Sequence, residues 1–288
     1  MQIFTARQLH CRFAGLIVLS ILMGALSGCG IDPNAQEKQP LLEKAGGMLT
    51  AGNMPEARKL FDQFLKDNKG SMIAYTQVCD LSTSYRHPEV AIDYVHKGFT
   101  INPKATAREK AVLFTSEAIA WNTSGDMQKA LTAHKAAYDL LPDEPMMINN
   151  LGYAYAEAHG VADLDKALAL ATRAVQLART RKADDLEIGT YMDSMGWIYY
   201  CKGNMPEAVS TLESAVLMNP NQAEIHYHLA MAYKQSLRVD DARIELNRAI
   251  SLQPKNTTLI QALRELEKRP TAKPEPVLAP APSAGDSI

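Results

Sequence analysis

The hexapeptide Gly52-Asn53-Met54-Pro55-Glu56-Ala57 recurs without a change as Gly203-Asn204-Met205-Pro206-Glu207-Ala208. Glycine followed closely by proline is typical of a junction between two helices, because glycine closes the first helix and proline is tolerated in the first turn of the next. The final alanine also recurs at the same register without the rest of the hexapeptide. Its six positions are Ala57, Ala91, Ala130, Ala167, Ala208 and Ala242, separated by 34, 39, 37, 41 and 34 residues. The sequence therefore predicts a two-helix unit repeated six times.

Other positions repeat in step with this alanine. Four residues after it stands a bulky apolar group in four units, with weaker matches in two: Phe61, Val95, Leu212 and Leu246, then His134 and Ala171. Seven residues after it stands a small residue in all units but the first, which has Phe64: Gly98, Ala137, Ala174, Ala215 and Ala249. Four units then reach a proline, which ends a helix because it has no N–H. Small residues in this register predict close contact between helices.

This pattern resembles the tetratricopeptide repeat, whose unit is a helix–turn–helix of 34 residues. The resemblance implies an all-α solenoid that binds other proteins along its concave surface. The array is expected over residues 38–269. Its units are predicted at 38–71, 72–105, 111–144, 145–181, 189–222 and 223–256, followed by a capping helix at 257–269.

The N-terminal residues predict export from the cytoplasm. Arg7 and Arg12 precede an uncharged stretch, Phe13 to Leu26, which is the length of a signal-peptide core and short for a membrane span. The end of this stretch, Leu26-Ser27-Gly28-Cys29, resembles the lipobox of bacterial lipoproteins. The resemblance implies removal of residues 1–28 and lipidation of Cys29; the alternative is an ordinary signal peptide with an incidental cysteine.

The resemblance to lipoproteins also implies a location. Gly30 stands where aspartate is the usual signal for retention in the inner membrane of enteric bacteria. In a Gram-negative cell we therefore expect the outer membrane, with the chain facing the periplasm. Residues 29–37 are predicted to be a tether. Residues 270–288 carry several prolines among small residues and are predicted to be a disordered tail.

The charge composition does not predict a nucleic-acid partner. Removal of residues 1–28 takes away two arginines and no acid, which leaves 28 basic against 32 acidic residues and a net charge of −4. Nucleic-acid binders concentrate positive charge instead. Of the cysteines, Cys79 and Cys201 would remain as thiols, and Cys79 occupies a small-residue position that predicts burial.

Candidate catalytic groups are few. His226 and His228 are two residues apart, which points them to different sides of a helix, so they are interpreted as isolated histidines and not as a metal pair. Asp163, Asp165, Asp184 and Asp185 are predicted in loops between helices, where acids cap helix starts. No phosphate-binding loop or nucleophile motif is recognised, and we expect a non-enzyme without cofactor or metal.

A candidate binding surface comes from the positions that line the concave groove in tetratricopeptide arrays. In the last three units these positions include four aromatic residues. The predicted groove residues are Asn149, Asn150, Tyr153, Asp193, Trp197, Tyr200, Tyr227, Met231 and Lys234. They are expected to form an apolar strip with polar neighbours that holds a hydrophobic or extended segment of a partner.

The blocks Asn150 to Tyr153 and Asp193 to Trp197 resemble adjoining repeats of Gram-negative envelope lipoproteins. That resemblance implies a scaffold for a periplasmic protease or a cell-wall hydrolase. The alternatives are a pilotin-like factor for the secretin of a type IV or Tad pilus, and an accessory lipoprotein of a polysaccharide export machine. In each case the chain would hold an envelope protein while a lipid anchors it to the membrane.

Overall fold

The computed structural model describes residues 35–158 and 161–268, which form thirteen helices and no strand. Twelve of the helices make six pairs, and the thirteenth follows the last pair. Their bounds are α1 Ala35–Thr50, α2 Met54–Asp67, α3 Met72–Ser84, α4 Pro88–Ile101, α5 Ala107–Ser124, α6 Met127–Leu140, α7 Pro145–Glu157, α8 Val161–Thr180, α9 Asp185–Lys202, α10 Met205–Met218, α11 Ala223–Gln235, α12 Val239–Leu252 and α13 Thr257–Glu267. The predicted all-α solenoid is confirmed.

Several sequence predictions lie outside the described residues. These are the signal peptide at 1–28, lipidation at Cys29 and the proline-rich tail at 270–288. The predicted tether at 29–37 overlaps the described part, and there the structure differs, because α1 already begins at Ala35.

The repeated hexapeptide forms the same helix junction twice. Gly52 and Gly203 adopt left-handed conformations, with φ of 71° and 79°, and so close α1 and α9. Pro55 and Pro206 lie in the first turns of α2 and α10, where a missing N–H costs no helical hydrogen bond. The sequence at these six residues therefore determines where one helix stops and the next starts.

Where the repeated alanines are more than 34 residues apart, the additional residues lie in longer helices. The third unit begins with α5 at Ala107, ahead of the predicted start at 111, because Thr106 and Glu109 form a capping box. The fifth begins with α9 at Asp185, ahead of 189, because the side chain of Asp184 accepts a hydrogen bond from the N–H of Glu187 at 2.8 Å. Both first helices gain a turn at their N-terminal ends.

The positions that repeat in the sequence are the contact points of the helices. All six repeated alanines are fully buried. At Gly196, on α9, an added Cβ would lie 2.6 Å from Cγ of Leu212 on α10. Close packing of this kind leaves no room for a further methyl group.

The first helices of successive units form an inner layer. Each packs on the next along the array, from α1 to α3, α3 to α5, α7 to α9 and α9 to α11. The exception is the pair α5 and α7, which lie further apart over most of their length, although Thr115 on α5 meets Sδ of Met147 on α7 at 3.6 Å. The inner layer therefore opens between the third and fourth units.

Replacement of Gly196 by alanine tests the close approach of α9 and α10. The added methyl group must displace Leu212, so we expect a loss of about 1–3 kcal/mol in the free energy of unfolding, measured by urea denaturation. The matched variant is Gly47→Ala on α1, where an added Cβ meets no atom within 4 Å. That variant should gain up to about 1 kcal/mol from helix propensity. Equal stability of the two variants would show that α9 and α10 are not in close contact.

Candidate functional site

A cleft lies where the inner layer opens between α5 and α7. Its interior volume is ≈ 40 Å³, which is room for about two or three water-sized groups. Residues from α5, α6, α7, α9 and α11 line it, together with one residue of the turn before α11. They are Ile119, Asn122, His134, Asn149, Asn150, Tyr153, Thr190, Asp193, Ser194, Gln222, Glu224 and Ile225.

The exposure of the lining residues decreases from the mouth of the cleft to its interior. Asn122, Asn150, Thr190 and Gln222 are half-buried and mark the opening. The remaining lining residues are buried. Three buried lining residues end in a polar atom that has no hydrogen-bond partner, namely Nδ1 of His134, Oδ1 of Asn149 and the hydroxyl of Tyr153. Buried polar atoms are nearly always paired with the protein or with ordered water, so three of them around one small cleft mark a place where water or a ligand group would bind.

A buried network lies beside the cleft and joins three units. The indole N–H of Trp197, on α9, donates a hydrogen bond to Glu157 at the end of α7 over 2.9 Å. The imidazole of His228, on α11, stacks on the same indole at a centroid distance of 4.3 Å. Nδ1 of His228 donates to both carboxylate oxygens of Asp193, on α9, at 2.8 and 3.0 Å. This network shares Asp193 with the lining of the cleft.

The protonation of the network follows from burial and from its close charges. Burial alone would lower the pKa of His228, but the ion pair with Asp193 and the nearby carboxylates outweigh it, so this pKa is raised. Burial raises the pKa of Glu157 to about 7, although the hydrogen bond from Trp197 and the charge of His228 oppose the shift. Burial likewise raises the pKa of Glu224 to about 7, with His228 opposing and Asp193 and Glu157 adding to the shift. The site therefore holds carboxyl groups that exchange protons near neutral pH.

Of the nine predicted groove residues, four line the cleft. Asn149, Asn150, Tyr153 and Asp193 come together there from α7 and α9. Tyr200 and Lys234 are half-buried and lie outside its lining. Whether any of them contacts a partner stays a prediction.

The prediction that Trp197 lies on the groove surface is wrong. Its side chain has no exposed area, because it fills the space between α7 and α11 and its N–H is satisfied by Glu157. Tyr227 and Met231 are also buried, in the apolar core of the last three units. The aromatic stripe is therefore mainly core, with polar groups at its edge forming the accessible surface.

The interpretation of the two histidines as isolated is also wrong. His226 donates hydrogen bonds from Nδ1 to Glu245 at 2.6 Å and from Nε2 to the carbonyl of Pro220 at 2.9 Å. His228 belongs to the buried network. Their different directions along α11 were predicted correctly, and each direction leads to its own acidic partner.

Of the four aspartates predicted to lie in loops, the structure places only Asp184 ahead of a helix and the other three within helices. Asp184 caps α9, as predicted. Asp163 and Asp165 lie inside α8, where Asp165 forms an ion pair with Lys202 across the unit boundary, and Asp185 is the first residue of α9.

Cys79 is buried, as predicted, and its thiol donates to the carbonyl of Ala91.

Three ionisable residues of the site were missed by the sequence analysis. His134 occupies a position where the repeat favours a bulky apolar group, and this mismatch was the available signal for it. Glu157 and Glu224 carry no such signal, because an acid near a helix end is ordinary in a soluble array. Their burial depends on the neighbouring units.

Within residues 35–158 and 161–268, no group of three or more His, Cys, Asp or Glu side chains is placed to hold a metal ion. None of the helices in these two ranges is long and apolar enough to cross a bilayer.

Comparison with known proteins agrees with this architecture. The tetratricopeptide repeat family model matches residues 202–266, from the end of α9 to the last turn of α13. A thermophilic tetratricopeptide protein of Thermus thermophilus superposes with a TM-score of 0.58 at 17% identity, over 68% of this chain and 99% of that one. Tom70 of yeast superposes with a TM-score of 0.54 at 18% identity, over 74% of this chain and 42% of Tom70. No curated protein matches the sequence significantly. The fold is thus a tetratricopeptide-type solenoid.

Replacement of Glu157 by glutamine tests the buried carboxyl group. The folded protein holds the proton of Glu157 up to about pH 7, whereas the unfolded chain releases it near pH 4.5, so this group lowers stability as pH rises between these values. Glutamine keeps an oxygen for the indole N–H and does not titrate. The stability of Glu157→Gln relative to wild type should therefore rise from pH 5 to pH 8, by on the order of 2–3 kcal/mol in urea denaturation.

Glu265→Gln, at an exposed position on α13, is the control and should follow the wild-type profile. A constant difference between Glu157→Gln and wild type at all pH values would contradict burial of an ionisable group at this position.

Proposed function

We propose that this protein is a non-catalytic scaffold that holds an envelope protein through the cleft between α5 and α7 and the adjoining inner surface. The observation that carries the proposal is the cleft itself, since three buried polar atoms in its wall lack a partner within the folded chain. A solenoid exposes an extended surface to other proteins, and the first helices face that surface. The partner would complete the unsatisfied groups.

The chemistry of the mouth suits an extended peptide. At the mouth, the amide of Asn150 can donate and accept hydrogen bonds, and so can pair with main-chain groups of a segment laid along α7. Below it, the buried Oδ1 of Asn149 can accept a further hydrogen bond. Ile119 and Ile225, which are buried in the lining, offer apolar contact inside the cleft. A mixture of this kind favours a protein segment over a small anion.

The proposed location is the periplasmic face of the outer membrane, with the chain anchored by lipid on Cys29. It is supported by Leu26-Ser27-Gly28-Cys29 and by glycine at position 30. Five residues separate Cys29 from Ala35, which reach at most about 20 Å when fully extended. An anchor at Cys29 would therefore hold the first unit close to the bilayer, with the cleft further along the array.

Site-specific photo-crosslinking in intact cells tests the scaffold role. A crosslinking amino acid at Asn150, at the mouth of the cleft, should capture a defined envelope protein for identification by mass spectrometry. The matched position is Asn247, which is exposed on α12 away from the cleft. Capture at position 150 and not at 247 is expected.

Identical products at both positions, or none at 150, would contradict the proposed surface. The identity of the captured protein separates a protease or cell-wall hydrolase from a pilus secretin or a polysaccharide export component. In the same cells, Cys29→Ala should remove incorporation of labelled fatty acid, and persistent labelling would refute the anchor.

A further inference from the structure

The cleft has a one-sided charge. Among the described residues that line it, Asp193 and Glu224 are acids and none is lysine or arginine. His134 adds no positive charge at neutral pH, because burial lowers its pKa to about 4. Since His228 balances the charge of Asp193, Glu224 is the acid of the lining that favours a cation and disfavours an anion.

The unpartnered atoms share one chemical property. Oδ1 of Asn149 can only accept a hydrogen bond, while the hydroxyl of Tyr153 and Nδ1 of neutral His134 can accept one. A ligand group that donates several hydrogen bonds from one centre would satisfy such a set. The ammonium group of lysine and the guanidinium group of arginine each donate several hydrogen bonds and accept none.

The two acids of the cleft lining, Asp193 and Glu224, differ in their hydrogen bonds. Asp193 is held at both oxygens by His228. Glu224 lies 4.0 Å from Nε2 of His228, which is longer than a hydrogen bond. Nε2 of His228 has no hydrogen-bond partner either. The carboxyl group of Glu224 is therefore the one best placed to take up a positive charge from a ligand.

The size of the cleft limits what can enter. A volume of ≈ 40 Å³ holds a few water-sized groups, which suits the charged end of a side chain and excludes a folded element. Ile119 and Ile225 line the same cleft and can contact the methylene groups behind such an end.

We propose that the cleft binds a cationic side chain, lysine or arginine, projecting from an extended segment of the partner. The proposal rests on the scaffold function above and adds the chemistry that the partner must carry. Glu224 supplies the opposite charge, while Asn149 and Tyr153 accept hydrogen bonds.

Binding of a cation is coupled to loss of a proton. The charged groups that face Glu224 are His228 on its own helix, Asp193 on α9 and Glu157 on α7. Because the pKa of Glu224 is about 7, its ionised fraction rises about tenfold from pH 6 to pH 8. Affinity for a cationic side chain should therefore rise with pH.

Peptide titration of the full-length chain in neutral detergent provides the test. The probes are acetylated, amidated pentapeptides of alanine with a central lysine or arginine, compared with norleucine or citrulline at the same place. Binding is followed by NMR on the side-chain amides of Asn149 and Asn150. The cationic peptides should bind at least about tenfold more tightly than their neutral analogues, and more tightly at pH 8 than at pH 6.

Three variants sharpen this test. Glu224→Gln should weaken binding of the lysine peptide about tenfold and flatten its pH dependence. Asn150→Asp adds a negative charge at the half-buried mouth of the cleft and should strengthen binding of the lysine peptide. Glu265→Gln, an exposed change of the same type, should leave binding as in wild type.

Equal binding of lysine and norleucine peptides, or tighter binding of a glutamate peptide, would overturn the proposal. If the lysine peptide fails while crosslinking from position 150 still captures a partner, the cation proposal is wrong and the scaffold role stands. If the peptide binds while crosslinking captures nothing, the cation site stands and the scaffold role is wrong.

Discussion

The C-terminal half of the array depends on the contact of Trp197 with Glu157 and His228. This contact joins α7, α9 and α11, the first helices of three successive units. In a solenoid each unit touches only its neighbours, so stability comes from such interfaces more than from any one unit. Here the interface is made by a large aromatic ring whose polar edge must be satisfied, because an unpaired indole N–H in the core would be costly.

His228 also brings a charged pair into the core, because its Nδ1 donates to the carboxylate of Asp193. The N-terminal half packs Phe61 against Tyr94 edge to face in an apolar core, with Asp80 held by Ser116 at its margin. In the C-terminal half, His228 and Asp193 are both buried. Removing one partner of such a pair leaves an uncompensated charge, at a cost of about 3–5 kcal/mol. Loss of either His228 or Asp193 would therefore weaken the interface between the fifth and sixth units.

The sequence predicts the repeat because the repeat depends on local spacing. Alanine and glycine at fixed intervals report where helices touch, and Gly52 and Gly203 report where they end. The cleft follows from a different cause, namely the loose contact between α5 and α7, which no local pattern records. The burial of Trp197 was missed for a related reason: an aromatic residue at an inward position satisfies the groove pattern and the core pattern equally well. Only its hydrogen bond to Glu157, forty residues away in sequence, separates the two. The same holds for Glu224, whose surroundings come from neighbouring units.

Hydrogen exchange of the two indole N–H groups tests the central contact most directly, since the chain has only two tryptophans. Trp197 is fully buried and bonded to Glu157, whereas Trp121 is half-buried and bonded to Glu117 at 3.2 Å within its own helix. The indole N–H of Trp197 should exchange only when the C-terminal units unfold, at least about a hundredfold more slowly than that of Trp121. Exchange of Trp197 as fast as that of Trp121 would contradict the account, because its indole would then be open to solvent in the folded array.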